Sequence, residues 1–594
     1  MASKLTRRRL LQACAALGAA STVPGYATAE SEPDLEKFVQ PLPIPSVREP
    51  DGKRQGADYY EIPIREFDQQ VHPDLPPTTF WGFDGTVPGP VVKARRNEQI
   101  KLRFDNTDLP SDHLFDIDDR IHGTSPEDYP GHDDPVPDVR TVIHQHGLNV
   151  EPESDGQATA WKSPDGTTGP RFVKHVHDLP NRQPRMTATY HDHALGVSRL
   201  NNYAGLNGFY VIESPHEQRL NLPSGEYDVP VMLQDKTFEA DGSLHYPSSF
   251  VPNFAGDTAF VNGAVWPYME VEPRRYRFRL VNQSNGRTFD LALEGSHNDD
   301  DGHSDDAAVP LLYQFAPDQG FLNNVVPIGP GQDLESLVLG PFERAEVVVD
   351  FSGHEGETFT VTNDAEFPFS GGQNGDGSHG SHGNGGDSDT HLGEIMQFRV
   401  TDPDHKVVDD SAHPRNLSLP THPGYSEQAA KQTRHMTMGM RMDDGLETHV
   451  LNGKTFSDGG VDATPQLGTT EVWELENNTM HTHPIHLHLV EFRVIGRGPD
   501  GTEDPAPNER GPKDVVRVDP DETVRIITKF GDFTGRYPWH CHVLEHEEQA
   551  MMRPFEVVAG NSARQGQNNG HGPGNGNGSD RSSQGQDNPS GRSQ

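Results

Sequence analysis

Short segments in which apolar and polar residues alternate recur along the chain, set between turns rich in Gly, Pro, Asn and Asp. Val91-Val92-Lys93-Ala94, residues 99–104, residues 275–280 and Val524-Arg525-Ile526-Ile527 are examples. A period near two is that of a half-buried antiparallel strand, and many such strands predict sandwiches or barrels. Three stretches share one theme: GTVPGPVVKARRNEQIKLRFDN at 85–106, NGAVWPYMEVEPRRYRFRLVNQS at 262–284 and GTTEVWELENN at 468–478. Each places a strand, a turn with charged residues and a second strand ending in Asn. The chain is therefore expected to be all-β, with a weak internal repeat of three similar domains.

At 594 residues the chain is too long for one ordinary core, and its 60 Gly and 50 Pro suit short strands joined by turns. The formal charge of −41 excludes nucleic acid as a partner, because phosphate would be repelled. The acidic residues are spread along the chain, a surface that stays hydrated at high salt and suggests a halophile. Residues 370–391 and 560–594 are Gly-, Asn- and Ser-rich without periodicity, and are expected to be disordered. His379, His382 and His391 in the first of these are best taken as loop composition.

Cysteine is scarce: only Cys14 and Cys541 occur. Thr6-Arg7-Arg8-Arg9-Leu10-Leu11, a weakly apolar Ala-rich stretch and Ala27-Thr28-Ala29 have the basic start, short apolar segment and A-x-A end of a signal peptide. The paired arginines point to the twin-arginine route and a secreted protein. Removal of residues 1–29 takes Cys14 away and leaves one thiol, for which metal ligation is the best reason. No later run approaches 18 apolar residues, so no membrane span is expected.

Four segments carry the candidate chemistry. HQHG supplies His144 and His146, YHDHALG supplies His191 and His193, and HPIHLHL supplies His483, His486 and His488. HCHVLEHEEQAMM supplies His540, Cys541, His542, His546 and Met551. Residues two apart on a strand project from one face, so a His-x-His pair can reach a single metal cluster. Cys541 then points the other way, toward a second metal, while covalently joined to both flanking histidines. Stray pairs arise by chance in a chain with 31 His, and His175/His177 and His481/His483 are two more. The fourth segment is more specific: Cys541, His546 and a Met, with His483, make the His₂Cys-plus-thioether set of a blue-copper site. Met551 fits the spacing best, with Met552 as its alternative.

With these motifs the sequence resembles the three-domain multicopper oxidases, most closely the bacterial spore-coat laccases and their bilirubin-oxidase relatives. The likeness runs from DLEKFVQPLPIP through YHDHALGVSRLNNYAGLNGFYVIESP to HCHVLEHEEQAMMRP. It implies three tandem cupredoxin-like Greek-key domains, at 30–218, 219–402 and 431–559, with a linker at 403–430. It implies four copper ions. His483, Cys541, His546 and axial Met551 match the type 1 ligands, and His144 and His486 the type 2 ligands. His146, His191, His193, His488, His540 and His542 match the type 3 pair. Glu547 and Asp155 match the family's proton-relay positions; their plain alternatives are a solvated acid and a turn residue. The acidic surface, the 370–391 insertion, the polar tail and the absence of an internal disulfide depart from the pattern.

The implied activity is one-electron oxidation of phenols, aromatic amines or similar donors, coupled to four-electron reduction of dioxygen to water by a monomer. Bilirubin is a further implied substrate. A metallo-oxidase for Cu(I) or Mn(II) and a copper-free structural relative are the alternatives. Met436, Met438, Met440 and Met442 alternate with period two and are expected to pack one strand face, with soft-metal contact as the second reading. Asn416 and Asn477 head possible glycosylation signals.

Overall fold

The computed structural model describes residues 33–560 apart from 130–134, 296–308, 372–391, 421–423 and 444–445. The leader, His379, His382, His391 and the tail beyond 560 lie outside the described residues. The described chain is almost wholly β, and its α-helices are the short Ser198–Ala204 and Leu544–Gln549. One unit runs through to Val558.

Six sheets form in chain order. Strands between Gly52 and Glu213 make the first two, those between Asp228 and Val400 the next two, and those between Ala430 and Val557 the last two. The repeat seen in the sequence has a structural counterpart. In each third of the chain a long first strand pairs in parallel with the second strand of the repeat: Ala57–Gln69 with Ile100–Asp108, Asp228–Lys236 with Arg275–Asn282, and Ala430–Asp443 with Thr470–Asn477. Parallel pairing needs a crossover, and on the way the chain visits the other sheet: as strand Gly89–Arg95 in the first third, as Tyr268–Val271 in the second, and by a bridge from Ala463 to Phe555 in the last.

The Asn that ends each repeat is buried, and its side-chain amide ties its strand to later segments of the chain. Asn282 Nδ2 donates to the Arg287 and Leu339 carbonyls, and Asn477 Nδ2 to those of His481 and Val518. Asn106 Nδ2 donates to Thr141 Oγ1 and the Lys162 carbonyl. With that role Asn477 is 1% exposed and is no glycan acceptor.

Alternation fills one core per sandwich. Ile62, Trp81, Leu102 and Tyr190 lie in the first, Val231, Phe278, Val347 and Phe398 in the second, and Trp473, Leu475, Trp539 and Phe555 in the third. Each such side chain contributes roughly 1.5–3 kcal/mol on burial. The seam of the first two sandwiches joins apolar contacts, Phe209 and Val211 with Met232 and Val281, to an ionic cluster in which Arg185 and Arg277 clasp Glu217 and Glu346, all buried. Arg140, Arg199, Arg287, Arg344 and Arg553 are also fully buried, so much positive charge is internal and solvent meets mainly carboxylates.

Candidate metal centres

Two strand pairs build the site. Ile143–Gln145 runs antiparallel to Met186–Asp192 with His144 opposite His191. His483–Leu487 runs antiparallel to Gly535–Cys541 with His486 opposite His540 and Ile485 opposite Cys541. Strand alternation keeps the rings of each pair together: 5.7 Å for His144/His146, 6.2 Å for His191/His193, 4.8 Å for His486/His488 and 4.9 Å for His540/His542. The two sheets then meet face to face. His144 lies 3.8 Å from His488 and His146 lies 3.9 Å from His486, centroid to centroid. All eight imidazoles are buried.

Backbone carbonyls orient these rings. His144 Nδ1 faces the Asp155 carbonyl, His486 Nδ1 the Asp514 carbonyl at 2.7 Å and His191 Nδ1 the Asp192 carbonyl at 2.9 Å. Placing the proton on Nδ1 leaves the Nε2 lone pair free, and in all three Nε2 has no hydrogen-bond partner. Nδ1 of His193 and of His542 is equally unpartnered. Buried polar atoms are costly to leave unmet, so five such nitrogens in one pocket mark it as built for cations. Elsewhere in the cluster ring nitrogens approach one another: His488 and His540 Nε2 at 3.1 Å, His193 and His540 Nε2 at 3.4 Å, His542 Nε2 and His146 Nδ1 at 3.3 Å.

Burial first, and neighbouring imidazoles second, push His144, His488 and His542 well below the usual histidine range. Burial likewise holds His191 at about 3 and His193 at about 4. They are neutral at neutral pH, the form that binds metal.

Three carboxylates line the cluster. Asp155 Oδ2 is 2.8 Å from His488 Nδ1, and burial raises this acid well above its ordinary range. Glu547 lies 3.1 Å from His540 Nδ1 and 3.5 Å from His193 Nε2. Burial opposes its ionisation, but the His540 and His193 imidazoles outweigh that and hold it at about 2. Both acids are buried, so neither is a solvated surface group. The third, Asp514, went unnoticed in the sequence. Its Oδ1 is 3.0 Å from His146 Nε2, and Arg344 pairs with both of its oxygens.

On the other face of His540 and His542 a second site forms. Cys541 Sγ lies 3.4 Å from His483 Nδ1 and 3.6 Å from His546 Nδ1, and accepts from the Val543 N–H at 3.4 Å. Thr479 Oγ1, 2.7 Å from His483 Nε2, fixes that ring. Burial pushes the Cys541 thiol above its ordinary value, so ionising it calls for a cation, and a coordinating thiol is deprotonated outright by its metal. After Leu544–Gln549 the chain turns at Ala550, whose φ of 152° is costly for a residue with a Cβ. The turn sets Met551 in the apolar cluster that holds Cys541, whereas Met552 packs with Tyr129 and Trp161. Met551 is thus on the sulfur's side.

His449, also missed, stacks on His546 at 3.9 Å; as a single His in an alternating strand it gave no distinguishing signal. His175 and His177 line a small cavity of the first sandwich that also touches Ile143 and Gly156, behind the strand that carries His144.

The donor sets, buried imidazoles in one site and imidazoles with a thiol and a thioether in the other, fit copper. Comparison with known proteins agrees. Residues 416–561 match the multicopper oxidase family. The chain is 56% identical to a laccase of Haloferax volcanii, over 93% of this chain and 91% of that one. It is 40% identical to a laccase of Bacillus subtilis, over 88% and 99% respectively. The crystal structure of a multicopper oxidase from Aquifex aeolicus covers 88% of this chain and 100% of its own, with TM-score 0.68 and 26% identity. The chain belongs to the multicopper oxidases, oxidoreductases with copper as cofactor.

Proposed function

We propose that the chain is a secreted laccase that takes single electrons from small phenolic or aromatic-amine donors and uses four of them to reduce dioxygen to water. The observation that carries this is Cys541: its sulfur meets His483 and His546 while its backbone neighbours, His540 and His542, enter the imidazole cluster. In this reading His483, Cys541, His546 and Met551 hold one copper. His144 and His486 hold a second, and His146, His191, His193, His488, His540 and His542 hold a pair. Bound copper supplies one-electron redox chemistry by alternating between Cu(I) and Cu(II).

The protein's own groups do the rest. The covalent run from Cys541 Sγ through its backbone to His540 and His542 is the electron path between the sites. Asp155, whose protonated form burial favours, is the proton donor beside His488, and Glu547, a carboxylate at neutral pH, relays protons beside His540 without retaining them. The close relatives named laccase support the donor class. The Arg7-Arg8-Arg9 leader supports export by the twin-arginine route, and the sheet grouping supports domains at 30–218, 219–402 and 431–559.

Oxygen uptake with a phenolic donor at high salt tests the reading. Four donors should be oxidised per dioxygen consumed, without peroxide. A two-to-one ratio with accumulating peroxide refutes four-electron reduction.

A further inference from the structure

A cavity of about 490 Å³ lies between segments of the first sandwich and the third. Its floor is apolar and buried: Tyr129 is 2% exposed, Met552 1% and Tyr537 0%. Phe456, half-buried, forms a side wall. Ligand pockets run from about 300 to 1,000 Å³ and pair aromatic walls with a few placed polar groups, so this one suits a small organic molecule. Neither Cys541, Met551 nor any histidine lines it.

The placed polar groups are two guanidiniums, Arg171 from the first sandwich and Arg536 from the third. Neither forms an ion pair among the described residues, whereas Arg185, Arg277, Arg344 and Arg553 each hold a carboxylate. Arg536 Nη2 donates to the Gly460 carbonyl at 3.1 Å, and no other acceptor meets that guanidinium among the described residues. Burial first, then the Arg171 and Arg553 charges, lower Arg536 from the ordinary arginine range, so the cations repel one another. The nearby acids do not relieve them. Asp128 is taken by His122 and by the Gly123 and Ser125 amides. Glu127, exposed, accepts from Ser125 Oγ, and Glu556 stands opposite Arg536 in the strand register without pairing with it. The frame is firmly held: Gln157 Nε2 donates to the Arg536 carbonyl at 2.6 Å. Arg553 donates to the Thr455 and Gly459 carbonyls at 2.6 and 2.7 Å, which pins the loop bearing Phe456.

Two unpaired cations facing one cavity, in a chain of net charge −41, call for an anion. A guanidinium presents forked N–H donors that match a planar carboxylate, and the rings beneath match an aromatic face. A bare inorganic anion would leave the apolar floor uncovered. We propose that this cavity binds a small aromatic carboxylate, with the carboxylate held by Arg171 and Arg536 and the ring laid against Tyr129, Tyr537 and Met552. The pinned loop and the fixed Arg536 backbone hold the site in shape before the ligand arrives, which lowers the ordering cost of binding. Binding here does not depend on which donor the metal centres oxidise.

The test is equilibrium dialysis of the copper-loaded full chain against naphthoate, at one fixed high concentration of potassium chloride. The uncharged naphthamide and inorganic sulfate serve as comparisons. R171E reverses one charge at an exposed position, where substitution leaves the fold intact. R171Q/R536Q removes both charges while glutamine keeps an amide donor for the Gly460 carbonyl. Wild type should bind naphthoate at least about tenfold more tightly than naphthamide, and sulfate should compete at least about tenfold more weakly than naphthoate itself. Each variant should lose at least about tenfold in naphthoate affinity, with naphthamide affinity unchanged within about twofold. Equal binding of the acid and the amide overturns the inference, as does unchanged naphthoate affinity in R171Q/R536Q. Sulfate that binds as tightly as naphthoate overturns it as well, because the aromatic floor would then contribute nothing.

Discussion

Asp514→Ala separates support of the fold from support of the metal site. Asp514 is 0% exposed and sits at the centre of a buried network. Its oxygens accept from both Arg344 Nη atoms, one at 2.6 Å, and from Gln319 Nε2 at 3.0 Å, and Oδ1 faces His146 Nε2 at 3.0 Å. Truncation leaves the buried Arg344 guanidinium with only the Thr187, Phe342 and Asp318 carbonyls and the Asp318 carboxylate at 3.8 Å. Breaking a buried pair from one side costs about 3–5 kcal/mol. At roughly 2–4 °C per kcal/mol for a domain of this size, the first thermal transition of metal-free protein should fall by about 6–20 °C. The double variant R344M/D514L removes both charges and should recover most of that loss, because apolar replacements of buried pairs are often neutral. Asp318 retains Lys513 at 3.1 Å, so its buried carboxylate keeps a charged partner. His146 stays unsupported in the double variant, so copper content should remain low while stability returns. Circular dichroism melts at fixed salt and metal analysis read the two effects. A double variant as unstable as the single one, or a single variant melting within about 2 °C of wild type, refutes the reasoning.

Two further outcomes follow from other contacts. Burial opposes ionisation of Glu509, but Arg497, which donates at 2.7 and 2.5 Å, outweighs it and holds the acid at about 2 against an ordinary 4.5. A depressed pKa gives stability that is full above 4.5 and lost as pH falls toward 2, so wild type should exceed Glu509→Gln by about 3 kcal/mol near neutrality. Denaturant titrations should show that gap closing toward pH 2; a constant gap contradicts the linkage. Met551→Leu should move the visible absorption and reduction potential of the Cys541 centre, while Met552→Leu leaves both in place; the reverse would reassign the axial ligand.

Most of the metal site was legible in the sequence because strand geometry is local. His-x-His reports a shared face wherever the chain is extended, and the Asn ending each repeat marked three equivalent strands. What was not legible depends on register between distant segments. Asp514 meets His146 across 368 positions, and only the pairing of His486 with Val515 brings it there. A Lys-Asp pair before the short strand Val515–Val518 was its sole local mark. Met440 and Met442 read as core but are 42% and 66% exposed, since alternation shows which face a residue takes, not where along the strand the core stops.

The central claim is that one cysteine joins two metal centres. Cys541→Ser, loaded with copper and analysed for metal content and visible absorption, tests it most directly. The account predicts loss of the intense thiolate band and of one copper, with the copper bound by the imidazole cluster retained. A serine variant that keeps its colour, or that binds as much copper as wild type, would contradict it.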